Sequence, residues 1–238
     1  MTKIMSIMLG IHERRYHVLK RVSEKTKIRE HRGTGILESY RPWIKTREFM
    51  RGVGTRCNPI DPKTGRTMHL LSQNEMYAYY LLRWDDHVTD IREQFPLDKE
   101  TTTEIAERFG FNPVQYGKTT LTTDMLVTYD DDYDHGLRAY SIKNDPESLS
   151  VRAKERLLIE KQYWMEKGVP FLIWFKGDLD IQKANNLRTL YPYYKAETLR
   201  PGNQDDLIRH LIITKQIEVD LSKPIDYQAL KKRLEMSK

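Results

Sequence analysis

The chain has 238 residues, 39% of them hydrophobic and 31% charged, with a mean hydropathy of -0.70; this is enough to bury one full domain with a smaller appendage and leaves no room for a membrane span. The net charge of +6 is concentrated at one end, where residues 1–56 hold 14 Lys and Arg against five Asp and Glu, so the remainder is slightly acidic. The single cysteine, Cys57, cannot form an internal disulfide, and no small-residue cleavage site follows the apolar run Met1–Ile11, so the expected location is the cytoplasm.

Residues 13–30 mix basic side chains with Tyr16, Val18, Leu19, Val22 and Ile28, a pattern for a helix or a flexible arm, and residues 1–30 are assigned as a basic N-terminal arm. His31 to Gly35 interrupts it as a connector. The basic bias fits either a surface against nucleic-acid phosphates or a solvated helical face of mixed charge. On the first reading Arg32, Arg41, Lys45 and Arg47 are the candidate DNA contacts, with Trp43 between them. His69–Asp85 is the clearest helix of the first half, with Ser72 as N-cap, Glu75 at capping-box spacing and an apolar body. Val88–Phe95 reads as a strand, Thr102–Phe109 as a helix stopped by Gly110, and Leu121–Tyr129 with Leu137–Lys143 as a hairpin around an acidic turn. Glu147–Lys167 is a long helix ended by Gly168, and Pro170–Phe175 is a buried strand. The order predicts an α/β fold with a mixed sheet flanked by helices over residues 31–176. Residues 177–238, with helices at Ile181–Tyr191, Gln204–Thr214 and Tyr227–Leu234, form a small, winged-helix-like domain docked on the first.

Chemistry starts with Asp124 on one hairpin strand and Ser141 and Lys143 on the next. Ser141 and Lys143 are two apart and share a face, and the hairpin brings Asp124 beside them. An acid followed by a strand ending in lysine is the pattern of restriction-endonuclease-like nucleases. Phosphodiester hydrolysis needs a divalent metal on hard oxygen ligands and a cation near the attacking water or the phosphate, which are roles for Asp124 and Lys143. The commonest version of that fold has Glu or Asp where this chain has Ser141. The main-chain carbonyl there can still ligate, and Glu75 in the first helical turn is the natural second carboxylate.

The string Asp90, Ile91, Arg92, Glu93, Gln94, Phe95, Pro96, Leu97 resembles a segment of the TnsA family of transposase endonucleases. In the same order come Tyr40, Pro42 and Trp43, then Thr64, Gly65, Arg66, His69 to Ser72 and Glu75 ahead of it, and Thr123, Asp124, Leu126, Val127, Ile142, Lys143, Glu160, Tyr163, Trp164 and Pro170 behind it. The likeness covers roughly residues 27–195. It implies Glu75, Asp124 and Lys143 as catalytic residues, with Glu75, Asp124 and Ser141 around two Mg2+ or Mn2+ ions. The family's glutamine is replaced by Ser141, and a further family glutamate falls on Glu160 as a supporting residue. It also implies cleavage of the 5′ strand of double-stranded DNA at transposon ends, on the bacterial nucleoid, beside a TnsB-like transposase and a TnsC-like AAA+ ATPase. The alternatives are a free-standing restriction or repair nuclease and a catalytically inactive assembly module.

Other patterns carry less. Asp130, Asp131, Asp132, Asp134 and Gly136 miss the EF-hand positions for glycine and glutamate and read as a solvated hairpin tip. The seven histidines and one cysteine show no zinc spacing, and no Walker or dinucleotide motif is present. Cys57 reads as a bystander, and Trp164 and Trp174 as core residues.

Overall fold

A computed structural model describes residues 22–48, 55–112, 119–130 and 136–236. Tyr16, Val18 and Leu19 of the arm and Asp131, Asp132, Asp134 and His135 of the acidic turn lie outside the described residues. A short helix α1 (Glu24–Arg29) opens the described chain. Helix α2 (Gln73–Arg83) starts where Ser72 caps it, with the Ser72 hydroxyl accepting the Glu75 N–H. It begins later than the apolar pattern from His69 predicts. Leu70 is instead tied to Cys57 by two backbone hydrogen bonds of 3.0 and 3.1 Å, which hold His69–Leu71 extended.

Four strands form one mixed sheet in the order β1 (Val88–Pro96), β2 (Thr122–Tyr129), β3 (Leu137–Lys143), β4 (Phe171–Phe175). The first three are antiparallel neighbours, and β4 joins β3 in parallel after a crossover through helix α4 (Val151–Glu166). Helix α3 (Lys99–Arg108), capped by Asp98, connects β1 and β2 and packs on α4. Side-chain alternation splits the sheet's two faces: Met125, Val127, Tyr140 and Ile142 join the core under α2, whereas Leu126 and Ala139 join the core under α3 and α4. The expected α/β class with helices on a mixed sheet is the one observed.

After β4 come α5 (Ile181–Leu190), α6 (Gln204–Ile213) and α7 (Tyr227–Glu235). Ala184, Leu187, Leu190, Ile208 and Ile212 are buried in the same apolar cluster as Ala78, Tyr79 and Leu82 of α2 and Val88 of β1. Each such large aliphatic side chain contributes about 1.5–3 kcal/mol. The described residues of the tail, 177–236, therefore complete the core on the α2 side of the sheet. Among the described residues no strand follows β4, so this tail is helical without a wing. No described helix is long and apolar enough to cross a membrane.

Candidate active site

Met125 pairs with Tyr140 across β2 and β3, and one step further along Asp124 comes level with Ser141. Asp124 Oδ2 accepts the Ile142 N–H at 2.7 Å, the Lys143 ammonium at 2.9 Å and the Ser141 hydroxyl at 3.4 Å. Lys143 also donates to the Ile142 carbonyl at 3.1 Å. Burial pulls the Lys143 ammonium down, but Asp124 and Glu160 outweigh it and hold its pKa above the ordinary lysine value. It is thus a fixed cation at neutral pH, suited to donating hydrogen bonds and offsetting anionic charge.

Helix α2 brings Glu75 to the same place. Its Oε2 accepts from the Leu71 N–H at 2.9 Å and the Gln94 side-chain amide at 3.2 Å, and its Oε1 accepts from the Ser72 hydroxyl at 2.9 Å. Burial first, and the Asp124 charge second, push this carboxyl up to about 8. Helix α4 supplies Glu160, also buried, which desolvation raises to about 7 against the pull of Lys143. Its Oε1 is enclosed without a hydrogen-bond partner. Glu75, Asp124, Lys143 and Glu160 all line one cleft of about 360 Å3, together with Gln94 and Arg156.

The cleft offers oxygen donors and no soft ones, and an enclosed anionic oxygen lacking a partner is costly unless a cation or donor reaches it. Among the described residues no three His, Cys, Asp or Glu side chains converge into a complete ligand set. An ion here would therefore take two carboxylates and fill its shell with water and main-chain oxygen, as Mg2+ and Mn2+ commonly do. The Ser141 hydroxyl already donates to Asp124, so any ligand role for Ser141 falls to its main chain.

Residues 85–175, from the end of α2 through β4, match the family described as TnsA-like endonuclease N terminal. Through this domain the chain is similar to the TnsA-like endonuclease family. Over 169 residues it is 34% identical to Transposon Tn7 transposition protein TnsA of Escherichia coli, a stretch covering 69% of this chain and 60% of that relative. The chain thus aligns with about 60% of the relative's length. The family match takes in Asp124, Ser141, Lys143 and Glu160, while Glu75 lies just upstream of it.

Beside the cleft of this TnsA-like domain lies a basic notch of about 380 Å3 lined by Arg41, Lys45, Arg47, Arg66 and His69. Ile44 lines the cleft and Lys45 the notch, so the two adjoin. Arg41 and Arg47 are exposed and Lys45 is half-buried, which suits phosphate contact. Arg32 does not join them. It is 3% exposed, its guanidinium forks onto Glu48 at 2.7 and 2.8 Å, and it also bonds Glu30 and the Trp43 carbonyl, so its charge is spent inside the fold. Trp43 is buried too, under the Lys27 ammonium, and offers no free face for a base. His69 is driven down to about 4 by burial and neighbouring cations, so it is neutral at physiological pH. Cys57 is half-buried with its thiol pKa raised by desolvation, consistent with a bystander. Two cleft residues were not singled out from the sequence: Gln94, which stands in the string that carries the family likeness but has no local pattern pointing to a site role, and Arg156, an exposed helix arginine at the cleft rim.

Proposed function

We propose that the chain is a Mg2+- or Mn2+-dependent DNA endonuclease subunit of a heteromeric transposase, hydrolysing the 5′ strand at each transposon end. The observation that carries this is the convergence of Glu75, Asp124, Lys143 and Glu160 on one cleft, with a carboxyl oxygen of Glu160 enclosed and unpaired. Glu75, Asp124 and the Ser141 main chain are the groups to hold two divalent ions, which when bound would acidify a water and neutralise the phosphate. The chain's own part is positional. Lys143, kept cationic by Asp124, orients the attacking water and counters the charge that grows on the phosphate as the water oxygen bonds to phosphorus and the ester P–O bond breaks. Arg41, Lys45 and Arg47 hold the flanking backbone of the duplex.

The kinship with a Tn7 transposition protein supports the transposition setting. In it a TnsB-like transposase cuts and joins the other strand and a TnsC-like AAA+ ATPase licenses the reaction, on nucleoid DNA in the bacterial cytoplasm. Strand-resolved cleavage of transposon-end DNA in Mg2+, with the chain alone and with the neighbouring transposase and ATPase, tests this. New 5′-strand breaks are expected only in the mixture. Asp124→Ala should remove them while DNA binding persists, and cleavage that survives Asp124→Ala defeats the assignment.

A further inference from the structure

Gln94 is the one residue of β1 with a left-handed backbone, at φ 51°. Glutamine there is strained by roughly 1–3 kcal/mol relative to ordinary strand geometry. The strain has a visible result. Ile91 belongs to the core under α2, and Phe95, of the same parity four residues on, packs with the core under α3 and α4, so the chain changes face between them. Gln94 sits between Glu93, which faces Met125, and Phe95, which faces Thr123, and is therefore level with Asp124. It is 2% exposed and anchored at both ends: its carbonyl accepts the Trp43 N–H at 3.2 Å, and its side-chain oxygen accepts the Thr122 hydroxyl at 3.3 Å. That second contact orients the amide so that its NH2 donates to Glu75 Oε2.

We propose that Gln94 is the positioning residue of the cleft, a strained strand amide that fixes the Glu75 carboxylate for a divalent cation. With Leu71 N–H and Gln94 both on Oε2, that oxygen's acceptor sites are filled, while Oε1 takes only the Ser72 hydroxyl and keeps a site for a ligand. Outer partners of this kind set ligand orientation, and losing one typically costs about 10–100-fold in metal affinity. The inference rests on the nuclease reading above.

Mn2+ titration calorimetry on the full chain at fixed pH, paired with thermal melting, tests it with two variants. Gln94→Gly removes the amide while relieving the left-handed backbone, which offsets part of the cost of the lost side chain, so it should still melt cooperatively as a folded protein yet bind Mn2+ at least about 10-fold more weakly. Gln94→Met keeps the bulk without the donor and should weaken Mn2+ binding to a similar degree. A residue that only fills space would shift melting and leave the isotherm alone, so wild-type Mn2+ affinity in either folded variant overturns the proposal. Asp124→Asn separates the two readings. If wild type binds Mn2+, Asp124→Asn does not, and the Gln94 variants bind normally, the positioning role fails alone. If wild type shows no Mn2+ binding, or Asp124→Asn still binds, the nuclease reading fails and takes the Gln94 role with it.

Discussion

Asp61 and Glu160 are both buried acids, but their surroundings are opposite. Asp61 faces Arg83 at 2.8 Å, takes the Tyr79 hydroxyl at 3.0 Å, and accepts the Lys63 and Thr64 N–H groups at 3.0 and 2.9 Å. Glu160 leaves one oxygen with no donor and shares a cleft with two other carboxylates and a single lysine. Asp61 fastens the turn before α2 to the helix itself, and its charge is used up in doing so. The cleft crowds three acids around one lysine and leaves an oxygen of Glu160 unsatisfied, an arrangement that costs stability and makes sense where a cation and a phosphate arrive later.

Breaking the matched side gives the largest effect. Arg83→Ala strands Asp61 without its counterion, and urea denaturation should show a loss of about 3–5 kcal/mol. If the loss is under about 1 kcal/mol, the Asp61 cluster is not the fastening described. Leu187→Ala, in the tail but inside the core shared with α2, should cost about 3 kcal/mol in one cooperative transition followed by both tail and sheet probes. Two separate transitions would restore the tail as an independent domain.

The unmatched side has the opposite sign. Glu75 and Glu160 have folded-state pKa values raised to about 8 and about 7 above the ordinary carboxylate value, so the folded state holds protons that the unfolded state has released. Their contribution to stability is complete below about pH 4 and is lost as pH rises toward 7 and 8, with no further loss beyond. Glu160→Gln removes one of these ionisations. It should flatten the fall in melting temperature between about pH 4.5 and 7 and leave the protein about 1 kcal/mol more stable than wild type at pH 8 without metal. Mg2+ should stabilise wild type more at pH 8 than at pH 5. A Glu160→Gln protein whose stability follows the wild-type profile over that pH range would show that Glu160 is matched after all.

These contrasts also separate what the sequence revealed from what it hid. The helix and strand order was readable because elements carry their own period and cap: Ser72 and Glu75, Gly110, and alternation along β2 and β3, although the Asp98 cap that starts α3 three residues before the expected Thr102 was missed. Asp124 and Lys143 were readable because a hairpin brings one strand's side chains beside the next. The start of α2 was misplaced because a bridge to Cys57, set by tertiary contact, overrode local helical spacing. The tail reads as a small domain docked on the first because it is short of apolar residues, and which surface its few leucines and isoleucines pack against is set by the fold and not by any local pattern. The role of Gln94, though it stands in the string that carries the family likeness, was hidden because no local pattern encodes a left-handed glutamine in a strand, and the burial of Arg32 depends on Glu48, sixteen residues away and brought in by the chain's fold.

Arg32 and Arg47 give the finest version of the comparison, since both were expected to touch DNA. The Arg32 side chain is 1% exposed against carboxylates, whereas the Arg47 side chain is 73% exposed and stands 3.9 Å from the nearest one, Glu48. Arg32→Ala should behave like Arg83→Ala, destabilising the fold and weakening DNA binding only as a consequence. Arg47→Ala should leave stability within about 0.5 kcal/mol, because an exposed ion pair of that length contributes little. Its effect belongs to the complex: if the side chain neutralises one phosphate, the slope of log affinity against log salt should become shallower by about 1, with sequence preference unchanged. An unchanged slope would move the DNA path away from the notch and onto basic residues elsewhere in the N-terminal segment, while leaving the cleft chemistry as it stands.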